Sequence, residues 1–311
     1  MKAKDIGIEL MWGIMRLFSR LPLGFHYFWG GIVAWLLKNV FHYRRDVVMI
    51  NLSRAFPEKE YTELRQIAGR FYRHLGEIMA EAIWFGGCDY ERLRKSGICR
   101  ITNFEVIEEA YNNSPSVTVM FSHCGNWEIV GGIWAYNYAP VKPYPCPSDG
   151  VYVVYKRQKS HFWNEILKRN RMAPEPGYKG EIESSDILRF AIRNRDKKGI
   201  YIFPTDQFPY AGRHDIGEFL HQSTMAMLGG AGVACKMGMS VLYLKMVHLG
   251  RGKYEMTFVP ICRNASQMSP SEITRKYFDL LEQEVRDTPH NWLWSHKRWK
   301  DRKSTRLNSS H

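Results

Sequence analysis

From Ser116 onward, short β-rich runs alternate with segments of helical periodicity, and this alternation limits the possible folds more than any other feature. The β-rich runs are dominated by β-branched and aromatic residues, which favour strands. They are residues 117–121, 151–155, 200–203, 241–247 and 254–259, and the helical segments between and after them are 126–138, 160–172, 184–196, 223–238 and 270–287. The pattern predicts an α/β domain with a mostly parallel central sheet flanked by helices.

The chain before the α/β pattern is helical and, at its start, apolar. Residues 58–86 have apolar positions at helical spacing after an acidic start, which predicts a helix. Residues 5–41 are the most apolar part, but the longest uncharged run, 21–37, falls short of the about 20 residues of a clean membrane span. Basic residues surround it: Lys2, Lys4, Arg16, Arg20, Arg44 and Arg45. We predict an N-terminal membrane anchor over 1–45, spanning or interfacial, and a domain over 46–300. The alternative is an amphipathic helix packed on that domain.

The charge and cysteine content narrow the classes of partner. The formal net charge of +13 indicates a polyanionic partner, either nucleic acid or an anionic bilayer. The six cysteines include no C-x-x-C pair, which argues against a zinc ribbon or redox motif. We therefore expect a cytoplasmic domain whose cysteines are reduced.

The last eleven residues are set apart from the rest. Residues 301–311 read DRKSTRLNSSH, which is the in-frame translation of a common sequencing adapter. We interpret this segment as an assembly scar and exclude it from reasoning about the fold. It carries one acid against three basic residues, so the chain without it is still clearly basic.

The candidate catalytic segment is Phe-Ser-His-Cys-Gly-Asn-Trp-Glu at 121–128. A predicted strand ends at Phe121 and a helix begins near Gly125, and such junctions are where α/β sheets place their sites. On one continuous helix, His123 and Glu128 would point about 140° apart. They can meet only across a turn, which Gly125 permits. An imidazole and a carboxylate together form a general base with its orienting partner.

The same residues also allow other interpretations. His123 could cap a helix with Glu128 in its first turn, a purely structural arrangement. Cys124 could be a nucleophile, but neighbours on an extended strand point to opposite faces. The Gly-rich stretch at 229–232 lacks a preceding strand and an intact dinucleotide motif. The sequence contains no H-E-x-x-H, G-x-S-x-G or Walker A motif.

The segment SHCGNWE resembles the H-x4-D/E motif of the bacterial lipid A biosynthesis (late) acyltransferase family, part of the lysophospholipid acyltransferase superfamily. The likeness extends over nearly all of residues 7–300. Its further blocks, in order, are Tyr43-Arg44-Arg45, Asn51-Leu52 through Ala55-Phe56-Pro57, Val154-Tyr155-Lys156, Arg171, Asp206-Gln207, and the Trp-Leu-Trp-Ser-His-Lys-Arg-Trp run at 292–299. The order and spacing of these blocks are far more specific than any one of them.

This resemblance implies roles for individual residues. It makes His123 the general base and Glu128 its partner, with Lys156 and Arg171 as candidates for binding headgroup or acyl-carrier phosphates. Asp206 becomes a site residue without an assigned role. This chain departs from the family pattern in having Cys124 and in having Lys156 where Arg is common. Lysine is a point charge without the bidentate fork of arginine, which puts tight phosphate geometry at that position in doubt.

The implied reaction is transfer of a fatty acyl chain from an acyl thioester to a hydroxyl of a lipid A precursor. A thioester is already activated, so we expect neither a metal nor a cofactor in the chemistry. Backbone N–H groups near Gly125 and Asn126 are candidates to hold the oxyanion. The expected donor is acyl carrier protein or acyl-CoA, and the expected acceptor is a lipid at the cytoplasmic face of a bacterial inner membrane.

Two classes of alternative stay open from the sequence. Within the acyltransferases, the acceptor could be a lysophospholipid or an aminoacyl lipid. Outside the enzymes, the chain could be a basic membrane scaffold or a nucleic-acid-binding protein that uses the aromatic and basic residues of 292–300 as a stacking surface. Aromatic-basic mixtures also suit a bilayer interface, and the apolar N-terminus favours that interpretation, so we expect no nucleic-acid partner.

Overall fold

A computed structural model of the protein describes residues 3–136, 150–209 and 212–299. The interpretation of 301–311 therefore lies outside the described residues. The described chain begins with helices alone, which are α1 (Ala3–Ser19), α2 (Leu23–Asn39), α3 (Arg45–Ala55), α4 (Tyr61–Phe85) and α5 (Tyr90–Ser96).

The long helix α4 shows why this part of the chain is helical. Glu60 and Glu63 form a reciprocal capping box at its start, which satisfies backbone donors that the first turn leaves unpaired. Its buried apolar residues then recur every three or four positions and face the core. They include Leu64, Ile67, Ala68, Phe71, Ile78 and Phe85. The predicted helix over 58–86 is confirmed to within a few residues.

The remainder of the chain builds the sheet and the helices that cover it. These elements are β1 (Cys99–Ile101), α6 (Phe104–Asn112), β2 (Val117–Phe121), β3 (Val151–Tyr155), α7 (His161–Arg171), β4 (Glu181–Glu183), α8 (Ile187–Arg193), β5 (Ile200–Pro204), β6 (His214–Phe219), β7 (Gln222–Ala226), α9 (Gly229–Met237), β8 (Ser240–Gly250), β9 (Lys253–Cys262) and α10 (Pro270–Asp287). A 3-10 helix, Trp127–Ala135, follows β2.

Among the described residues, a seven-stranded sheet has the order β1-β9-β8-β2-β5-β3-β4. Every neighbouring pair is parallel except the β8–β9 hairpin. The prediction of an α/β fold with a mostly parallel sheet flanked by helices is confirmed. Val117 to Met120 of the central strand β2 are all buried, as expected of a parallel strand covered on both faces.

The segment 223–238 departs from the sequence expectation of one helix. Residues Gln222–Ala226 instead form β7, antiparallel to β6, and the helix begins only at Gly229. Leu220 and His221 make the turn with φ values of 50° and 60°, as a tight hairpin requires. The pairing partner lies earlier in the chain, so the local periodicity of 223–227 could not reveal it.

The N-terminal helices pack on the rest of the molecule. Gly30 of α2 crosses Gly76 of α4 so closely that a Cβ at Gly30 would lie 2.5 Å from the Gly76 carbonyl oxygen. The Tyr27 hydroxyl donates a 2.7 Å hydrogen bond to the buried Glu81 carboxyl. Residues 23–39 are thus continuous with the body through backbone and side-chain contacts.

The outer surface of helices α1 and α2 is apolar. The exposed side chains on α1 follow one helical face at Ile6, Leu10, Ile14 and Leu17, and α2 adds Phe25, Phe28, Trp29 and Trp35. Of the helices in the described ranges, none combines the length and the apolar composition that a bilayer span requires.

Candidate active site

The topology of the sheet brings two separate segments of sequence together. Strands β2 and β5 are parallel neighbours, with Phe121 opposite Pro204 at their carboxyl ends. His123 follows the first strand by two residues and Asp206 follows the second by two. Because the carboxyl ends of parallel strands share one edge of the sheet, the two side chains meet there.

Asp206 is the carboxylate that holds the His123 ring. Its Oδ1 lies 2.6 Å from His123 Nδ1, and its Oδ2 accepts the His123 backbone N–H at 3.1 Å and the Trp292 indole N–H at 2.9 Å. The carboxylate is buried, which alone would raise its pKa. The attraction of His123 and these hydrogen bonds outweigh burial and hold the pKa of Asp206 below its usual range.

These contacts fix the form of the imidazole. An ionised carboxylate can only accept, so Nδ1 of His123 carries the proton and Nε2 carries the lone pair. The Gln207 side-chain amide lies 3.0 Å from that Nε2 and donates to it. The Trp127 ring, with its centroid 5.2 Å from that of His123, packs beside the imidazole. About one seventh of the His123 side-chain surface is open to solvent, at 14% exposure.

Glu128 occupies a different position from the one expected. In the structure its carboxylate accepts two hydrogen bonds from Arg171, both 2.9 Å long, and one of 3.0 Å from the Trp127 indole. The carboxylate that hydrogen-bonds the His123 ring is Asp206 instead. Burial would raise the pKa of Glu128, but the Arg171 charge, its hydrogen bonds and the nearby His123 together lower it. Glu128 is therefore an ionised neighbour of the imidazole that Arg171 holds in place.

Close backbone packing allows the Arg171 contact. Arg171 is the last residue of α7, and a Cβ at Gly131 in the 3-10 helix would lie 1.8 Å from its carbonyl oxygen. Glycine at 131 therefore lets the end of α7 approach Glu128. The Arg171 side chain stays about one third exposed, at 36%, and two of its nitrogens are engaged with Glu128.

Gly125 and Asn126 support the motif from behind. Gly125 has φ +61°, and a Cβ there would meet the Met246 side chain at 2.7 Å, so glycine is required. Its N–H donates to the backbone and side-chain oxygens of Asn291, so it is already paired here, and the expectation that N–H groups near Gly125 and Asn126 bind an oxyanion stays a prediction. Asn126 is buried and bridges the Glu128 N–H and the Glu81 carboxyl.

The remaining candidates lie farther from the imidazole contacts. Lys156 is exposed just beyond β3, whose carboxyl end lies at the same edge of the sheet as those of β2 and β5. Its role in binding phosphate stays a prediction. Cys124 is buried, and burial raises the pKa of its thiol well above the usual value, which disfavours the nucleophilic thiolate.

The C-terminal aromatic block is internal. Trp292 and Trp294 are fully or almost fully buried, so they offer no surface on which bases could stack. The interpretation of this block as a nucleic-acid stacking surface is wrong for these two residues, because they pack in the core. Trp292 instead helps to fix Asp206.

Two contacts of the site were not expected from the sequence. The sequence marks Gln207 only as the neighbour of Asp206, and Trp292 only as part of an aromatic block. Gln207 reaches His123, 84 residues before it, because β2 pairs with β5, and Trp292, 86 residues beyond Asp206, binds the Asp206 carboxylate. No local spacing could have shown either contact.

Comparison with known proteins agrees with this architecture. The sequence model of the bacterial lipid A biosynthesis acyltransferases matches residues 3–301, almost the whole chain. The protein therefore belongs to the bacterial lipid A biosynthesis acyltransferase family. No curated protein sequence matches the chain significantly.

Proposed function

We propose that this acyltransferase transfers a fatty acyl chain from an acyl thioester, carried by acyl carrier protein or CoA, to a hydroxyl of a lipid A precursor. One observation carries the proposal. A histidine at the carboxyl edge of the sheet has Nδ1 bound to a buried carboxylate and Nε2 left as a base. Family membership supplies the substrate class, and the histidine supplies the chemistry.

The proposed reaction uses His123 Nε2 as the general base. The acceptor hydroxyl displaces the Gln207 amide from Nε2 and gives up its proton as its oxygen attacks the thioester carbonyl. The carbon–sulfur bond then breaks, and the imidazolium returns the proton to the departing thiolate. Asp206 orients the ring and stabilises the imidazolium, as the carboxylate does in other base–carboxylate pairs.

Glu128 acts in this proposal as a second negative charge beside the imidazole. It favours the imidazolium electrostatically, and Arg171 keeps it ionised and holds it in place. Lys156, at the same edge of the sheet, is placed to attract a phosphate of the lipid headgroup or of the acyl carrier. Both functions follow from charge and position.

The apolar faces of α1 and α2 are proposed to rest in the membrane interface. Exposed leucine, isoleucine, phenylalanine and tryptophan side chains on adjacent helices suit the boundary between headgroups and acyl chains. The net charge of +13 adds attraction to an anionic leaflet. This arrangement would bring the enzyme to an acceptor lipid at the cytoplasmic face of the inner membrane.

The test is a transfer assay with the purified full chain, an acyl carrier protein thioester or acyl-CoA, and a lipid A precursor in detergent. Mass spectrometry should show the acceptor gaining one acyl group. His123→Ala should lower turnover by about 10²–10⁴. His214→Ala, at an exposed position of β6, is the matched control and should leave turnover unchanged.

Three outcomes would contradict the proposal. Near wild-type turnover in folded His123→Ala protein would remove the general base. Transfer to lysophospholipid or aminoacyl lipid, but not to the lipid A precursor, would replace the acceptor. Absence of transfer to any of these lipids would favour a non-enzymatic membrane scaffold.

A further inference from the structure

A cluster of two histidines and a carboxylate lies behind the active-site motif. His74 and Glu77 are one turn apart on α4, and His248 comes from β8. His74 and Glu77 are buried, and the side chain of His248 is only 9% exposed. The His123 ring contacts Asp206, Gln207 and Trp127 but none of these three residues, so the proposed chemistry does not use the cluster.

The cluster contains buried nitrogens without hydrogen bonds. Among the described residues, His74 Nδ1 and His248 Nε2 have no hydrogen-bond partner. Both lie near the same oxygen, Glu77 Oε2: the His74 contact, at 3.8 Å, is too long for a hydrogen bond, and the His248 contact, at 3.4 Å, lacks hydrogen-bond geometry. Buried polar atoms are almost always paired, so two orphaned nitrogens aimed at one carboxylate oxygen require an explanation.

Surrounding hydrogen bonds set the tautomers that a metal would need. His74 Nε2 lies 3.2 Å from the Gly125 carbonyl oxygen, which can only accept, so the lone pair of His74 is on Nδ1. His248 Nδ1 lies 3.4 Å from His290 Nε2, a contact compatible with a proton on Nδ1 and the lone pair on Nε2, the form that a metal at Nε2 needs. Metal-binding histidines characteristically use their other ring nitrogen in this way.

We propose that His74 Nδ1, His248 Nε2 and Glu77 Oε2 bind a divalent transition metal ion of the zinc class. Two imidazoles and one carboxylate are a ligand set that suits zinc. The three ligand atoms lie within 4.8 Å of one another, whereas ligands around a tetrahedral zinc ion are roughly 3.3 Å apart. The ion would draw them together by up to about 1.5 Å.

Two neighbours affect how the ion is held. The His74 and His248 rings are stacked, with centroids 4.1 Å apart and planes tilted by 22°, so one ring must turn to aim its lone pair at the shared ion. The terminal torsion of histidine is soft, and this turn is accessible. Arg251 hydrogen-bonds Glu77 through Oε1, which leaves Oε2 for the metal and partly neutralises the carboxylate.

The ion has a structural role in this proposal. His74 also binds the Gly125 carbonyl, and Asn291 binds both the Gly125 N–H and the His248 N–H. A metal joining α4 to β8 would therefore hold the turn of the catalytic motif from behind. This role is separate from the expectation that acyl transfer itself needs no metal.

The test begins with the unmodified full-length protein. After removal of bound metal with a chelator and dialysis, zinc is titrated back and bound metal is counted by plasma mass spectrometry. We expect one high-affinity equivalent per chain and a higher melting temperature with zinc. Cobalt(II) in the same site should give visible d–d absorption, which reports nitrogen and oxygen ligands directly.

Variants then assign the ligands. His248→Ala and Glu77→Gln should each weaken zinc binding by more than about tenfold and abolish the cobalt spectrum. His214→Ala, on an exposed strand away from the cluster, should bind as the unmodified protein does. Circular dichroism establishes that each variant is folded.

Stoichiometric binding that is unchanged in folded His248→Ala protein would overturn the assignment. So would an unmodified protein that binds no zinc at micromolar concentration and shows no shift in melting temperature. That second result needs no variant, and it would leave the cluster as a packing arrangement without a metal.

Discussion

At the scale of single residues, the two carboxylates near His123 have different tasks. Asp206 is buried and hydrogen-bonded to Nδ1, whereas Glu128 is bound to Arg171 and acts on the imidazole only through space. Orientation and tautomer thus depend on Asp206. The charge of Glu128 adds only an electrostatic effect on the imidazole.

Asp206→Asn should therefore lower kcat more than Glu128→Gln does. An amide at 206 no longer stabilises the imidazolium and can select the wrong ring tautomer, an effect of up to about 10⁴ in rate in comparable sites. Both variants should change kcat more than KM, because the interactions strengthen in the transition state. The measurement is steady-state kinetics at saturating thioester.

Asp196→Asn, at an exposed acid, is the matched control for that comparison. The opposite ranking, with Glu128→Gln severe and Asp206→Asn mild, would return Glu128 to the place of the base's partner that the motif spacing suggested. A pure KM effect of Glu128→Gln would instead assign that residue to substrate binding.

At the scale of elements, two helices from opposite ends of the sequence, α4 and α10, support the segment 121–128 that contains His123. Helix α4 supplies Glu81, which fixes Asn126, and His74, which binds the Gly125 carbonyl. Helix α10 supplies Glu284, which accepts hydrogen bonds from the Tyr243 hydroxyl and the Met246 N–H. Tyr277 of α10 also donates a hydrogen bond to the Phe121 carbonyl oxygen, so the loop that carries His123 is held by helices distant in sequence.

Glu284 makes the stability of this arrangement depend on pH. Burial raises its pKa to about 7, above the ordinary 4.5 of a glutamate. Between those values the unfolded chain releases the proton and the folded protein keeps it. The free energy of unfolding should therefore fall as pH rises through this window, by up to about 1.4 kcal/mol per pH unit.

Glu284→Gln removes that titration. When the pH rises from about 5 to about 7, the free energy of unfolding of the variant should therefore fall less than that of the unmodified protein. Urea unfolding of both proteins at the two pH values measures the difference. Glu58→Gln, at an exposed position, should behave as the unmodified protein. A difference that stays constant with pH would show that Glu284 is ionised in the fold throughout.

At the scale of the whole molecule, the N-terminal helices belong to the folded body and also carry its most apolar surface. Deleting residues 1–41 would remove Gly30 and Tyr27 from their contacts with α4, so activity would be lost for reasons unrelated to membranes. Surface substitutions test membrane binding without that complication.

Leu10→Glu combined with Leu17→Glu should weaken binding to anionic lipid vesicles by more than about tenfold. Both side chains are about two thirds exposed, at 66% and 65%, so the fold should tolerate the change. Activity on bilayer substrate should fall, while activity on detergent-dispersed acceptor should be largely kept. Vesicle sedimentation and the two assay formats measure these effects.

The control is Leu188→Glu combined with Ile192→Glu, which places the same charges on another exposed apolar pair, in α8. If both doubly substituted proteins lose vesicle binding equally, general repulsion from the anionic surface explains the effect. If neither does, the apolar face of α1 is not the membrane contact.

The sequence by itself determined the class of fold and singled out His123 as the candidate base. Alternating β-rich and helical segments specify a parallel sheet because they encode local propensities and buried faces that need no knowledge of partners. The bounds of β2, β3, α4 and α10 were predicted to within three residues for this reason. The strand-to-helix junction likewise placed His123 at the edge where such sheets have their sites.

Only the tertiary structure decided which carboxylate the base contacts. Asp206 is 83 residues from His123 along the chain, and the pairing of β2 with β5 makes them neighbours. Glu128 is close in sequence, but the approach of α7 gives it to Arg171. The same holds for the β6–β7 hairpin and for the His74–His248 cluster. Strand order and helix approach arise from packing of the whole core, and that information is not contained in the spacing of any single motif.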